Sequence, residues 1–392
     1  MYIGLSEEQE RLRQQIRAYY DEILTPDIRE QLAAEHGVGP TTRAVRLQMA
    51  KDGWLCFGWP KEYGGQGRDE VDHFLFFDES MRTSAPVPML TVNTVGPTLM
   101  RFGTEEQKRK FLPRMAAGEI EFCIGYSEPN AGTDLASLQT RAERDGDHYV
   151  VNGQKIWTSL AGGADYCWLA VRTDPKAAKH AGISMLIVDM KSPGIRVDPL
   201  DLLSDHDINQ VFFEDVRVPV ENLVGGENKG WKLITNQLNH ERVTICSSGM
   251  VERAYEITRD YARDTKLPDG RRLIDEEWVQ TNLARVHAGL EFLRLINWKV
   301  AWTSTQGTLS PADASATKVY GTEFYLDAFQ LLMEVMGPRG YLARGSEQAV
   351  AAGHLEALYR GLMILTFGGG VNEVQRDLIA LFGLGLPRIP RH

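Results

Sequence analysis

DGDHYVVNGQKIWTS, residues 145–159, decides how the chain is read. Two turn dipeptides, Asp145-Gly146 and Asn152-Gly153, alternate in it with the β-prone runs YVV and KIW. Asn-Gly between such runs is the strongest short-range hairpin signal, since both residues tolerate the left-handed backbone of a two-residue turn. The pattern predicts a hairpin at 152–153. Further short apolar runs follow in YCWLAV (166–171), ISMLIVDM (183–190) and VFFEDVRV (211–218). Residues 120–225 are therefore expected to form an antiparallel, barrel-like β domain.

On both sides the period changes from two to about 3.6. Before residue 120, Ser6 with Gln9 and Thr104 with Gln107 are spaced as capping boxes, and Leu12, Ile16, Tyr19 and Ile23 recur at helical spacing. FGWPKEYGGQG (57–67) interrupts that pattern with Pro60 and its glycines, as a structured loop would. After Gly230 four long stretches have helical spacing: 231–263, 276–302, 311–337 and 346–365. The expected fold class is α+β and multidomain. It comprises an N-terminal helical domain (1–119), a middle antiparallel β-barrel (120–225) and a C-terminal four-helix bundle (226–392).

Composition narrows the function. A formal net charge of -10, with no Lys/Arg-rich cluster, argues against nucleic acid or an anionic membrane as the main partner. The N-terminus becomes charged within seven residues, and no apolar run approaches the ~18 residues that span a bilayer. Cys56, Cys123, Cys167 and Cys246 show neither CxxC spacing nor a dense framework, so reduced thiols, no metal and a cytoplasmic location are expected.

Two features carry chemistry. In ILTFGGGVNEVQRD (364–377) three glycines precede an amphipathic helical segment. Such a turn either offers backbone N–H groups to an anion or acts as a flexible joint. In NHER (239–242), Glu241 shares a helical stripe with Ile234, Leu238 and Ile245, at spacings of 4, 3 and 4. A carboxylate on an apolar stripe is costly to bury unless paired or functional, and desolvation raises its pKa toward the range of a general base. A structural ion pair with Arg242 or a bundle arginine is the alternative. His240 points roughly 100° away around the helix.

IGYSEPNAGTD (124–134) followed by NGQKIWTS (152–159), with FGWPKEYGG and VNEVQRD toward the two ends, resembles the acyl-CoA dehydrogenase family. The resemblance covers nearly the whole chain and implies FAD as cofactor and an acyl-CoA thioester as substrate. Oxidation to the enoyl thioester needs a base for the α proton, donors for the developing enolate and a hydride acceptor, which no protein side chain can be. The resemblance implies that Tyr126 and Ser127 line the isoalloxazine edge and that Gly132 and Thr133 meet the pyrophosphate or ligand. It also implies that Trp157 and Ser159 cover the ring and approach N5. Read without it, Trp157 is a barrel-core aromatic, and Ser127 and Thr133 are ordinary loop polars.

In most of the family the catalytic glutamate lies in a YEGTNEIQR-like stretch. Registering NEVQR on NEIQR puts Gly369 at the glutamate and Gly368 at the tyrosine, so the usual base is absent. A minority, including isovaleryl-CoA and long-chain dehydrogenases, carries the base on the first long C-terminal helix, in an ER pair that matches Glu241-Arg242. The resemblance then implies Glu241 as base, the Gly369 backbone N–H as donor to the thioester oxygen, and Asn239, Arg242 and Gly368 around the substrate. Glu373 matches a non-catalytic position.

RDTKLPDGRR (263–272) and MEVMGPRGYLARG (333–345) depart from the family segments that reach across to a neighbour's flavin. That half-set implies a second, different chain. TFGGG, NHERV and GWPKEYGGQG together resemble one subunit type of the actinobacterial steroid-catabolic members. Those work as α2β2 heterotetramers on sterol side-chain thioesters and pass electrons to an electron-transfer flavoprotein. Two other readings stand beside this one: a non-catalytic flavin-binding or assembly subunit, and an acyl-CoA oxidase.

Overall fold

The structure is a computed structural model that describes residues 4–307 and 310–388, without the side chains of residues 238–245. Its first region holds α1 (Glu7–Ile23), α2 (Pro26–Ala34), α3 (Pro40–Lys51), α4 (Glu70–Arg82), α5 (Gly96–Phe102) and α6 (Glu105–Ala116). Both expected capping boxes form: Ser6 Oγ accepts from Gln9 N at 3.2 Å and Thr104 Oγ1 from Gln107 N at 3.2 Å, each with the return bond from the glutamine. On α1 the buried stripe is Leu12, Ile16 and Tyr20, with Tyr19 only partly covered. The 57–67 segment is a loop with one short 3-10 turn (Lys61–Tyr63). Its Trp59 is buried and donates to Val92 O at 2.7 Å, and a Cβ on Gly96 would meet the Trp59 ring at 2.1 Å. Glycine there lets the indole seat against the backbone.

The middle region is β1 (Phe122–Gly125), β2 (Arg141–Asp145), β3 (His148–Ser159), β4 (Tyr166–Arg172), β5 (Ile183–Asp189), β6 (Ile195–Pro199), β7 (Ile208–Pro219) and β8 (Leu223–Val224). Strand order is β6-β7-β3-β2-β4-β5-β8, with β1 attached to β4. Pairing is mostly antiparallel, but β1 runs parallel to β4. The hydrogen-bonded path runs from β6 to β8 around an apolar core that includes Tyr149, Val151, Leu169, Val188 and Phe213.

The hairpin falls one dipeptide earlier than expected. Asp145 pairs with His148 across Gly146-Asp147, with Gly146 at φ 61, a two-residue turn with glycine in its first central position. Asn152-Gly153 instead lies inside β3, where the register with β7 shifts between Val151 and Gly153. Nine residues of β3 pair along β7, and that pairing outweighs the local turn preference. Gly153 is required for another reason: φ is 151, and a Cβ would lie 2.6 Å from Thr140 Oγ1.

The third region contains α7 (Gly230–Ile245), α8 (Gly249–Asp264), α9 (Glu277–Thr305), α10 (Pro311–Met336), α11 (His354–Leu362) and α12 (Asn372–Leu378). The stretch 231–263, expected as one helix, breaks after Ile245. Asp78 of α4 caps the new start, accepting from Ser248 N at 2.7 Å, Gly249 N at 3.1 Å and Ser247 Oγ at 2.8 Å. Residues 346–365 are α-helical only over α11, because Ala351, Ala352 and Gly353 take φ of 49, 54 and 73, outside the helical region. Four long helices, α7 to α10, thus make the bundle. Among the described residues no helix is long and apolar enough to cross a membrane.

Candidate active site

The end of β1 and the middle of β3 are fastened together by a buried charge. Lys155 is fully buried and donates to Tyr126 O at 3.0 Å and Glu128 Oε1 at 2.8 Å. Glu128 also accepts from Gln139 N at 2.7 Å and Thr140 N at 2.8 Å. Burial alone would raise the Glu128 carboxyl, but Lys155 and these N–H groups outweigh it and hold it below the usual carboxylate range. Burial pulls the Lys155 ammonium down, opposed by Glu128. With Ile156 N donating to Ser127 O at 2.9 Å, the 126–128 backbone is pinned to β3.

One residue past Lys155 the strand bulges: Lys155 pairs with Val211 and Thr158 with Asn209, leaving one extra residue on β3. Trp157 occupies the bulge at φ 62, with 54% of its surface exposed. It is no barrel-core aromatic. A bulky residue held in the left-handed region is strained, and such strain clusters at ligand clamps. Ser127 and Ser159 are half-buried, and Gly132 and Thr133 are exposed. The N–H groups of Gly132 and Thr133 donate to no group among the described residues, and a Cβ on Gly132 would meet nothing within 4 Å. Tyr126 is turned inward: its hydroxyl donates to Gln237 Oε1 at 2.5 Å and accepts from Trp168 Nε1 at 3.2 Å.

Gln237 places α7 against this segment. It is fully buried, as is Ile234. Glu241, Asn239, Arg242 and His240 belong to the same helix, and their side chains lie outside the described residues.

The glycine turn lies between the 3-10 turn Met363–Thr366 and α12. Gly369 and Gly370 take φ of 67 and 97, which favours glycine at both. Gly368 N donates to Ile364 O at 2.7 Å, whereas the N–H of Gly369 donates to no group among the described residues. Beneath the turn, fully buried Lys318 of α10 donates to Thr366 O at 3.1 Å, Gly370 O at 2.8 Å and Asn372 Oδ1 at 2.7 Å. Glu373 is exposed on α12, away from the buried Asn372 and Gln375.

A chain of contacts links these parts. Tyr126 joins the β segment to α7 through Gln237, Cys246 Sγ at the end of α7 lies 3.6 Å from Lys318 O, and Lys318 holds the glycine turn. A flavin fits the donor set: an exposed tryptophan as a cover, half-buried serines beside it, and unengaged backbone N–H groups at Gly132 and Thr133 for a pyrophosphate. Sequence reasoning passed over Lys155, Glu128, Gln237 and Lys318. The signal for the lysines was present: Lys155 precedes Ile156 and Trp157 in a β run, and Lys318 shares a helical stripe with Ala314, Thr322 and Tyr325.

The three regions match, in order, the models "Acyl-CoA dehydrogenase, N-terminal domain" (residues 6–119), "middle domain" (123–216) and "C-terminal domain" (228–383). The chain belongs to the acyl-CoA dehydrogenase family, oxidoreductases that act on CH–CH groups and whose members are FAD-dependent flavoproteins. Within the family it is 54% identical over 401 residues to acyl-CoA dehydrogenase FadE26 of Mycobacterium tuberculosis, covering 100% of both chains. Among solved structures, it matches a chain of the ChsE4-ChsE5 complex from Mycobacterium tuberculosis with TM-score 0.93 and 54% identity, covering 99% of this chain and 100% of that one. It matches the Tcur3481-Tcur3483 steroid ACAD with TM-score 0.95 and 46% identity, covering 99% and 100%.

Proposed function

We propose that this chain is the base-bearing subunit of a heteromeric acyl-CoA dehydrogenase that binds FAD and introduces an α,β double bond into the CoA thioester of a steroid side chain. The carrying observation is the left-handed Gly369, whose N–H is unengaged among the described residues. In this reading it donates to the thioester oxygen as negative charge builds there. One such donor is worth about 3 to 4 kcal/mol of transition-state stabilisation.

Glu241 takes the α proton. Its position supports this: it lies one turn beyond Gln237, and positions four apart share a helix face. Asn239 and Arg242 flank the acyl-CoA from the same helix, and the absence of side chains at Gly368 and Gly369 leaves room for a branched α carbon carrying rings. FAD, when bound, supplies the acceptor for the β hydride. Trp157 and Ser159 would cover its ring near N5, with Tyr126 and Ser127 at its edge and Gly132 and Thr133 at its pyrophosphate.

The steroid substrate and the homologous partner in an α2β2 assembly are supported by the likeness to the ChsE4-ChsE5 complex and to the Tcur3481-Tcur3483 steroid ACAD. An electron-transfer flavoprotein would be the external oxidant. The four free, buried cysteines suit the reducing cytoplasm.

The test is co-expression with the homologous partner, followed by mass, FAD content and anaerobic titration with a steroid acyl-CoA. A flavin-loaded α2β2 species bleached by the thioester is expected, with slow reoxidation in air and fast reoxidation by an artificial electron acceptor. A flavin-replete homotetramer of this chain would contradict the partner assignment. A flavin that never bleaches would mark a non-catalytic subunit, and fast reoxidation in air an oxidase.

A further inference from the structure

The glycine turn poses a physical problem. Gly368, Gly369 and Gly370 have wide conformational freedom, two of them stand in the left-handed region, and yet an oxyanion donor acts only when held at a fixed point before the reaction. Something must hold this turn.

Lys318 meets that need. Its ammonium has three protons to donate, and Thr366 O, Gly370 O and Asn372 Oδ1 are placed to receive them at 3.1, 2.8 and 2.7 Å. Thr366 and Gly370 flank residues 367–369, so one buried group ties both ends of the turn. Asn372 is itself buried and fixed, its Nδ2 donating to Thr322 Oγ1 and Glu323 Oε1 at 3.1 Å each. With Gly368 N engaged by Ile364 O, the Gly369 N–H is left without an acceptor among the described residues.

The same turn of α10 also sets the distance to α7. Cys246 Sγ lies against Lys318 O, and a Cβ on Gly321 would meet Cys246 Cβ at 2.5 Å, so the two backbones approach closely at this level. Cys246 is the C-cap of the helix that carries Glu241. Lys318 thus stands between the proton acceptor's helix and the oxyanion donor's loop.

We propose that Lys318 is a positioning residue that sets the glycine turn so that the Gly369 N–H meets the thioester oxygen of a bound acyl-CoA. This rests on the dehydrogenase reading above. In this proposal the lysine acts through the turn it binds.

The test separates enolate formation from hydride transfer. In a 3-thia-acyl-CoA, sulfur replaces the β carbon, so no hydride can leave while the α protons remain exchangeable. The flavin-loaded complex is mixed with this compound in heavy water and α-proton loss is followed by NMR. Lys318→Met should slow exchange by about 30-fold or more, a large part of the roughly 100- to 1000-fold that goes with losing one oxyanion donor outright. FAD content and the compound's Kd should change less than about threefold, an effect smaller than a tenth of that. Asn372→Ala removes one of the three acceptors and should slow exchange by a smaller factor, which serves if Lys318→Met does not fold. Unchanged exchange in a folded Lys318→Met, or in Asn372→Ala where only that variant folds, overturns the proposal. Loss of exchange only in proportion to lost FAD also overturns it. A wild-type complex that exchanges no α protons contradicts the dehydrogenase reading instead, a result the variants do not produce.

Discussion

The loop after β1 and the glycine turn before α12 are both held from behind by a fully buried lysine, yet they present opposite surfaces. Lys155 binds Tyr126 O and Glu128, and the segment it holds displays side chains: Ser127, Thr133 and, across the bulge, Trp157. Lys318 binds Thr366 O, Gly370 O and Asn372, and the turn it holds displays backbone. A compact ammonium with three donors suits both tasks, because it can bind several carbonyl oxygens at once without a planar fork's geometric demands. The comparison teaches that an active-site segment can lose its chemistry-bearing side chains and keep a role, provided its backbone is anchored. In the function proposed above, the proton chemistry then resides on α7, at Glu241.

The largest stability effect should come at Lys155. Lys155→Met leaves the buried Glu128 carboxylate without its cation, and breaking a buried pair this way costs about 3–5 kcal/mol. Denaturant unfolding followed by tryptophan fluorescence measures the loss, and retained stability would show that the two lysines are not equivalent anchors. Next in size is Gly369→Ala. A Cβ at φ 67 costs about 1–2 kcal/mol, so turnover should fall by roughly tenfold with FAD still bound. Unchanged turnover would mean that the left-handed turn is not needed for the donor.

The smallest effect is in acid. The Glu128 carboxyl is held below its ordinary value of 4.5, so its contribution to stability is complete above that value and is lost as pH falls through the lowered one. Glu128→Gln should therefore show a smaller drop in melting temperature between pH 7 and pH 3 than the parent. An equal drop would show that Glu128 does not titrate with unfolding.

Local signals were legible in the sequence and non-local ones were not. The capping boxes at Ser6 and Thr104 form as spaced, because each bond spans three residues. Asn152-Gly153 misled because its fate depends on β7, some sixty residues on, and the turn formed at Gly146-Asp147. The break after Ile245 was hidden for the same reason: Asp78, far away in the sequence, caps the start of the next helix. Trp157 was legible as an aromatic but ambiguous in direction until the bulge turned it outward. The register of NEVQR that puts Gly369 at the family's glutamate position was plain in the sequence, whereas Lys318, which binds the turn, lies 51 residues upstream on another helix.

The central claim is that the proton has moved to α7, and Glu241→Gln in the flavin-loaded complex tests it most directly. Anaerobic flavin reduction by the acyl-CoA should slow by at least about 100-fold, the lower end of a positioned base's contribution, with FAD content and complex mass unchanged. Flavin reduction at the parent rate in that variant would contradict the account.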